Sequence, residues 1–192
     1  MNKPYGVLCQ FSDRLRRPNL SDYGPFPKDV YPVGRLDADS EGLILLTNDG
    51  LLKHYLLEPK YQHPRKYLVQ VERAPSNDAI ENLKRGVRVE GRITMPADVR
   101  ILDKEPELPP RPVPIRFRKN VPTSWLEITL FEGKNRQVRK MTAAVGHPTL
   151  RLIRVSIGPL TLENLRLGES RELTAKEVDS LKMYLTSRIS SS

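Results

Sequence analysis

Residues 33–47 read Val-Gly-Arg-Leu-Asp-Ala-Asp-Ser-Glu-Gly-Leu-Ile-Leu-Leu-Thr, a polar segment followed directly by an apolar one, and the rest of the chain is organised around them. Its first part, residues 34–42, is polar with a glycine at each end and is called the acidic loop below. The apolar run after Gly42 predicts a buried strand. A polar loop held rigidly against a core is a usual position for reactive side chains. The acidic loop carries one arginine and three carboxylates: Arg35, Asp37, Asp39 and Glu41.

The acidic loop has four possible interpretations, and two of them need a metal ion. For calcium, Asp37, Asp39 and Glu41 match the first carboxylate positions of an EF-hand loop. The register then fails, because Asn48 stands where a bidentate glutamate is needed. For magnesium, carboxylates must converge from several segments, and the chain has no second acidic cluster of suitable character. Both metal interpretations are therefore disfavoured.

The other two interpretations need no metal. The first is a solvated turn whose charges have no chemical role, since most acidic turns are only turns. The second is a single activated carboxylate, with Arg35 and a distant cation controlling its charge. We assign Asp39 and Glu41 to the structure of the loop. The rest of the chain has to decide between these two interpretations.

The composition is that of a folded, basic protein. The 192 residues include 32 Lys and Arg against 23 Asp and Glu, a formal net charge of +9. Nucleic acid is the usual partner of such a positive surface, and no basic amphipathic helix with aromatic anchors favours a membrane surface instead. We expect no spanning segment, signal peptide, disulfide or zinc site, and a reducing cytoplasm fits the single Cys9.

Apolar periodicity predicts more strands than helices, without regular alternation between them. This indicates an α+β fold with a mixed, largely antiparallel central sheet and flanking helices. The helix after Asn48-Asp49-Gly50 is predicted to turn Leu51, Leu52, Tyr55 and Leu56 inward. Strands are predicted at 6–10, 30–33, 43–47, 66–71, 87–89, 97–102, 124–131 and 150–162, the last broken near Gly158-Pro159. Further helices are predicted at 76–84, at 136–145 and after Thr174.

Two segments outside these elements are rich in positive charge. Residues 12–28 read as a loop that carries Arg14, Arg16 and Arg17. Residues 103–123 form an arm with six prolines, and its basic residues include Arg111, Arg116, Arg118 and Lys119. The arm is either a semi-extended surface loop or a basic arm laid along a phosphate backbone, and the pattern favours neither.

A basic segment in the second half of the chain offers the distant cation. Residues 134–154 contain six basic residues and no acid. On the predicted helix, Arg136 and Lys140 lie on the face opposite the apolar residues, and Arg139 lies at the border. A half-buried guanidinium at such a border needs a carboxylate or phosphate partner. Pairing Arg139 with Asp37 would keep Asp37 ionised and available as a nucleophile.

Three motifs follow one another along the chain, and together they are highly specific. They are Gly34-Arg35-Leu36-Asp37 with residues 42–50, Lys66-Tyr67-Leu68-Val69, and Glu132-Gly133-Lys134-Asn135-Arg136-Gln137-Val138-Arg139-Lys140-Met141. With the opening Asn2-Lys3-Pro4-Tyr5-Gly6, the chain resembles the RsuA-like family of ribosomal RNA pseudouridine synthases up to about Leu162. Residues 114–119 and 122–126 resemble a member that acts on large-subunit RNA.

This resemblance implies the pseudouridine synthase catalytic fold over residues 1–185, without an S4 domain, and a disordered tail at 186–192. It implies isomerisation of uridine to pseudouridine in 23S (large-subunit) ribosomal RNA without a cofactor or metal. Asp37 would be the essential carboxylate, Tyr67 would pack against the flipped base, and Arg139 would pair with Asp37. Leu150 or Leu152 would line the pocket.

The remaining site residues are expected to bind the RNA substrate: Arg35, Lys66, Asn135, Arg136, Gln137, Lys140, Arg116, Arg118 and Lys119. The expected partner is large-subunit ribosomal RNA, with no membrane and no DNA, and the protein is expected to be a cytoplasmic monomer. One rival function is an RNA-binding module without chemistry. A second is a hydrolase that breaks a glycosidic bond with paired carboxylates, which the spacing disfavours because carboxylates two residues apart alternate sides in extended chain.

Overall fold

The computed structural model describes residues 1–115 and 121–190, which form eleven strands and four α-helices. The strands are β1 (Asn2–Lys3), β2 (Tyr31–Pro32), β3 (Glu41–Leu43), β4 (Leu46–Thr47), β5 (Arg65–Glu72), β6 (Arg88–Val89), β7 (Arg92–Ile93), β8 (Asp98–Ile101), β9 (Thr123–Leu130), β10 (Thr149–Ile157) and β11 (Leu160–Thr161). The α-helices are α1 (Gly50–Leu57), α2 (Asn77–Arg85), α3 (Gln137–Ala144) and α4 (Ala175–Ser190). None of these helices is both long and apolar enough to cross a membrane.

The chain divides into two compact units. The first unit consists of Met1–His63 and Arg154–Ser192, and the second of Pro64–Ile153. The long strand β10 contributes its start to the second unit and its end to the first. Each unit therefore has its own set of strands and its own apolar core.

The first unit is organised around short strands. β1 pairs antiparallel with β3, so that Lys3 lies opposite Gly42, and β3 is followed in the sheet by the end of β10. β2 and β4 form a separate antiparallel pair. The core packs β3 and the end of β10 with α1 and α4, through residues that include Leu43, Leu56 and Leu185.

The second unit is built on a regular antiparallel ladder. β9 pairs with β5 on one side and with β8 on the other, and Tyr67 lies opposite Ile128. Burial alternates along β5, because successive side chains point to opposite faces of a strand. The buried face packs against α2 and α3 in one core, as the period-two pattern of the sequence predicts.

The α+β class and the largely antiparallel sheet are confirmed. Two predicted strands are wrong in detail. Residues 6–10 form no strand and only Leu8 bridges Asn19, while the first strand is β1. The run 43–47 splits into β3 and β4, because its two halves pair with different partners, β1 and β2.

Two further expectations need correction. Leu51 was assigned to the inner face of α1, but it is 69% exposed, because α1 is held through Leu56 and by its Asp49 cap. The tail predicted to be disordered from residue 186 is helical as far as Ser190, since α4 continues to that residue. The helix boundaries near Ser76 and residue 136 and the break after Ile157 agree with the predictions.

Candidate active site

The acidic loop lies in the first unit, between β2 and β3, and is tied down from both sides. The amide of Gly6 donates to the carbonyl of Ala38 at 2.7 Å, and the amide of Ser40 donates to the carbonyl of Asp37 at 3.0 Å. Asp37 is half-buried and Arg35 is exposed. The backbone of the segment that carries Asp37 is therefore fixed by its own turn and by the N-terminal segment.

A lysine that the residue patterns did not single out lies close to this loop. The side chain of Lys3 is 0% exposed, and its ammonium donates to the carbonyls of Pro4 at 2.9 Å and Val7 at 2.8 Å. Burial lowers the pKa of Lys3 to about 8, while the charges of Cys9 and of the three loop carboxylates act in the opposite direction. The acidic loop is thus accompanied by a buried cation from β1.

The sequence pattern does not predict that Lys3 is buried. The pairing of β1 with β3 sets Lys3 opposite Gly42. A lysine near a chain terminus is normally solvated, and only long-range pairing buries it. Lys3 belongs to the opening motif Asn2-Lys3-Pro4-Tyr5-Gly6, and the motif alone predicts no role for it.

Gly42 closes the acidic loop at a position where no larger residue fits. Its φ is +104°, and a Cβ there would lie 2.3 Å from the carbonyl oxygen of Arg154. The Arg154 side chain is buried, and its Nε donates to the carbonyl of Leu43 at 2.8 Å. The close approach of β3 to β10 therefore requires glycine at position 42.

The third motif builds the start of α3 in the second unit, and its centre is Glu132. The Glu132 carboxylate accepts from the amide of Met95 at 2.8 Å, from the side chain of Gln137 at 2.6 Å and from the ammonium of Lys134 at 3.2 Å. Burial alone would raise the pKa of Glu132, but the hydrogen bonds from Met95 and Gln137 lower it below its usual value. Sequence reasoning gave Glu132 no role.

The predicted substrate residues of this motif differ in their exposure to solvent. Arg136 is exposed, with a left-handed φ of +51° at the N-terminus of α3. Gln137 is buried, and its amide bonds to Glu132 and to the backbone of Lys134. Its side chain shapes the turn, and its contact with substrate stays a prediction.

Lys140 and Asn135 are engaged within the protein. The ammonium of Lys140 pairs with the Glu90 carboxylate at 2.8 Å and donates to the Asn135 side chain at 3.3 Å. The sequence placed Lys140 facing solvent or phosphate, whereas it is partly buried in the described structure because Glu90 is within reach. Binding of RNA by Lys140 would have to compete with this ion pair.

Arg139 has the half-buried position that the helix pattern predicts. Its Nη1 donates weakly to the carbonyl of Thr149 at 3.4 Å. The nearby hydroxyls of Thr142 and Thr149 bond to each other at 2.8 Å and hold the end of α3 to the start of β10. Arg139 lies in the second unit and Asp37 in the first, and their pairing stays a prediction.

β5 supplies two further predicted residues from opposite faces. Tyr67 is buried on the core face, while Lys66 points to the other face and pairs with Glu127 at 3.4 Å. Arg100 binds the same carboxylate at 2.9 Å. On β10, Leu152 belongs to the core and Leu150 is half-buried, so the choice between them as pocket residue stays open.

The first part of the proline-rich arm is attached to the second unit. Arg111 donates to the carbonyls of Val113 at 2.6 Å and Leu150 at 3.4 Å, and Arg151 donates to the carbonyl of Pro109 at 2.9 Å. The predicted substrate residues Arg116, Arg118 and Lys119 lie outside the described residues. Residues 109–113 are therefore bonded to the start of β10.

No group of three or more His, Cys, Asp or Glu side chains within residues 1–115 and 121–190 is arranged to hold a metal ion. The first unit offers the carboxylates of the acidic loop and the ammonium of Lys3, and the second unit offers the Arg139 guanidinium and the Tyr67 ring.

Comparisons with known proteins bear on this arrangement. The pattern of the family described as RNA pseudouridylate synthase matches residues 1–144. The chain is 54% identical to ribosomal large subunit pseudouridine synthase E of Xanthomonas axonopodis pv. citri, over 86% of this chain and 87% of the relative. It is 51% identical to the protein of that name from Vibrio vulnificus, over 90% of this chain and 73% of the relative.

The fold of the chain also matches that of a solved structure. The chain is similar to a crystal structure of a pseudouridylate synthase, with a TM-score of 0.78 and 31% sequence identity. The match covers 94% of this chain and 71% of the other. The predicted pseudouridine synthase fold is therefore confirmed.

Proposed function

The chain belongs to the RNA pseudouridylate synthase family, and on this premise we propose that it isomerises uridine to pseudouridine in large-subunit ribosomal RNA, with Asp37 as the catalytic carboxylate. One observation carries the choice of substrate. Relatives that are 51–54% identical over 86% or more of this chain bear the name ribosomal large subunit pseudouridine synthase E. A cytoplasmic location and a monomeric state belong to the same proposal.

The reaction needs no oxidant, reductant or cofactor, because substrate and product are isomers. The bond from N1 of the uracil to C1′ of the ribose breaks, the uracil turns, and C5 bonds to C1′. The proton on C5 is lost and N1 gains one. The carboxylate of Asp37 acts on the sugar or the base during this exchange.

The surroundings of Asp37 support this assignment. A catalytic group has to be held in a fixed geometry, and the amides of Ser40 and Gly6 donate to the carbonyls of Asp37 and Ala38 and hold this part of the loop. The buried ammonium of Lys3 lies near enough to the acidic loop for the charges of its three carboxylates to raise the pKa of Lys3, against the larger effect of burial. Asp39 and Glu41 then contribute to the loop and its charge balance.

Arg139 and Tyr67 are proposed as the partners of Asp37 and of the flipped base. A half-buried guanidinium suits a carboxylate partner, and its fixed plane gives the pair a defined orientation. A uridine inside folded RNA has to leave its stack before it can react, and stacking on an aromatic ring offsets part of that loss. Exposed basic residues such as Arg35 and Arg136 are proposed to bind phosphates.

Mapping of pseudouridine tests this function directly. Large-subunit rRNA transcribed in vitro, which lacks modifications, is incubated with the full chain, and pseudouridine is located by carbodiimide treatment and primer extension. We expect new pseudouridine and no free uracil. Free uracil would support the hydrolase, and binding without either product would support the non-catalytic RNA-binding module. Small-subunit rRNA from the same preparation is the matched control and should remain unmodified.

A further inference from the structure

The proposed function leaves unused a basic loop in the first unit. Residues 12–18, called the arginine loop here, read Ser-Asp-Arg-Leu-Arg-Arg-Pro. Its base is closed by two backbone hydrogen bonds, from Leu8 to Pro18 at 2.8 Å and from Leu20 to Gln10 at 2.9 Å. The arginine loop is therefore anchored at both ends.

Asp13 shapes the interior of the arginine loop. Its carboxylate accepts from the amides of Leu15 at 3.1 Å and Arg17 at 3.0 Å, and from the guanidinium of Arg17 at 2.8 Å. The hydrogen bond from the Arg17 side chain lowers the pKa of Asp13 to about 2, so this arrangement persists at neutral pH. Asp13 is the one acidic residue among residues 12–18, and its carboxylate is paired with Arg17.

The tip of the arginine loop is left with two cations and one apolar side chain. Leu15 is 74% exposed between Arg14 and Arg16. Within the described part of the chain, neither of these two arginine side chains makes an ion pair or hydrogen bond. Exposure of a leucine side chain to water is unfavourable in free energy, and burial of that side chain against a partner would remove this cost. The two flanking guanidinium groups have no partner among the described residues and suit phosphates better than an apolar protein surface.

We propose that the arginine loop is an RNA contact in which Arg14 and Arg16 bind phosphates and Leu15 inserts between stacked bases beside the target uridine. Apolar side chains of this size are used as wedges between base steps, with basic residues holding the backbone on either side. The inference rests on the proposed function, because the target base has to leave its stack and a wedge fills the gap that it leaves.

The position of the arginine loop is compatible with this role. Gly6 bonds to Ala38 in the acidic loop, and Ser12 is six positions after Gly6. Six positions of extended chain span at most about 20 Å, so the start of the arginine loop lies within that distance of Gly6, which is bonded to the acidic loop. Both loops belong to the first unit.

The test compares Leu15→Ala with Leu51→Ala, a matched control in which a leucine of 69% exposure is removed elsewhere in the first unit. Single-turnover rates of pseudouridine formation are measured on the unmodified large-subunit transcript. We expect Leu15→Ala to lower the rate at subsaturating protein about tenfold, and Leu51→Ala to leave it unchanged.

Two binding measurements use the Asp37→Asn protein, so that no turnover occurs. Adding Arg14→Ala with Arg16→Ala should reduce the slope of log affinity against log salt by about 1.4 to 1.8, the loss of two phosphate contacts. Acylation of 2′-hydroxyls on the bound transcript should reveal an unstacked step that disappears when Leu15→Ala is added. Circular dichroism and thermal unfolding of each variant confirm that the fold is kept.

The outcomes separate the two proposals. Pseudouridine formation by the wild type with an unchanged Leu15→Ala rate, salt slope and acylation pattern would overturn the wedge and leave the proposed function standing. Absence of pseudouridine with the wild-type protein would overturn the proposed function itself. Loss of activity by Leu15→Ala on protein-containing ribosomal particles but not on naked RNA would assign the arginine loop to a protein partner and would also overturn the wedge.

Discussion

Replacement of Lys3 by methionine tests the buried cation beside the acidic loop. Lys3→Met keeps the length of the side chain and removes the charge. In the folded protein burial lowers the pKa of Lys3 to about 8, against an ordinary value of 10.5. Below pH 8 the folded protein therefore carries the cost of a buried charge, which the unfolded chain does not have.

The sign of the pH dependence follows from proton counts. Between pH 8 and 10.5 the unfolded chain keeps a proton on Lys3 that the folded chain has released. The free energy of unfolding contributed by Lys3 therefore rises with pH across this window. At 1.36 kcal/mol per pKa unit the whole shift is worth about 3 kcal/mol, of which about 2 kcal/mol is reached between pH 7 and pH 9.5.

Urea unfolding at pH 7 and pH 9.5 measures the effect as a difference between proteins. The wild-type free energy of unfolding, minus that of Lys3→Met, should increase by about 2 kcal/mol between the two pH values. Lys28→Met, at an exposed position, is the control for loss of a lysine. A difference independent of pH would refute the reasoning. A decrease would show that attraction to the loop carboxylates outweighs burial.

Three further predictions concern the site. Asp37→Asn should abolish pseudouridine formation and leave RNA affinity nearly unchanged, and a variant with a tenth of wild-type activity would remove Asp37 from the chemistry. Gly42→Ala should destabilise the protein by about 3 kcal/mol or more, because its Cβ meets the Arg154 carbonyl; Gly91→Ala, with φ of +80° and open space around it, should cost only about 1 kcal/mol in the same urea titration. Gln137→Ala should lower stability by about 1–3 kcal/mol in the urea titration, since it removes a hydrogen bond from buried Glu132; a stability equal to that of the wild type would show that this hydrogen bond does not hold the turn.

The sequence by itself determined the features that depend on local pattern. The alternation of apolar and polar residues along β5 predicted that the face of the strand that carries Tyr67 is buried, since successive side chains point to opposite faces of a strand. Helical periodicity placed Arg139 at the border of α3, and the structure has it half-buried there. The order of the three motifs pointed to the family, and the comparisons confirm it.

Only the tertiary structure decided which polar groups are buried and which basic residues are already paired. Lys3 is buried because β1 pairs with β3, forty residues away in sequence, and Glu132 becomes the centre of its turn because Met95 reaches it. Lys140 forms an ion pair with Glu90, which is likewise distant in sequence. Burial and ion pairing depend on contacts between distant segments, which no local period encodes. The exposure of Leu15 likewise follows from bonds that Asp13 makes in the folded loop.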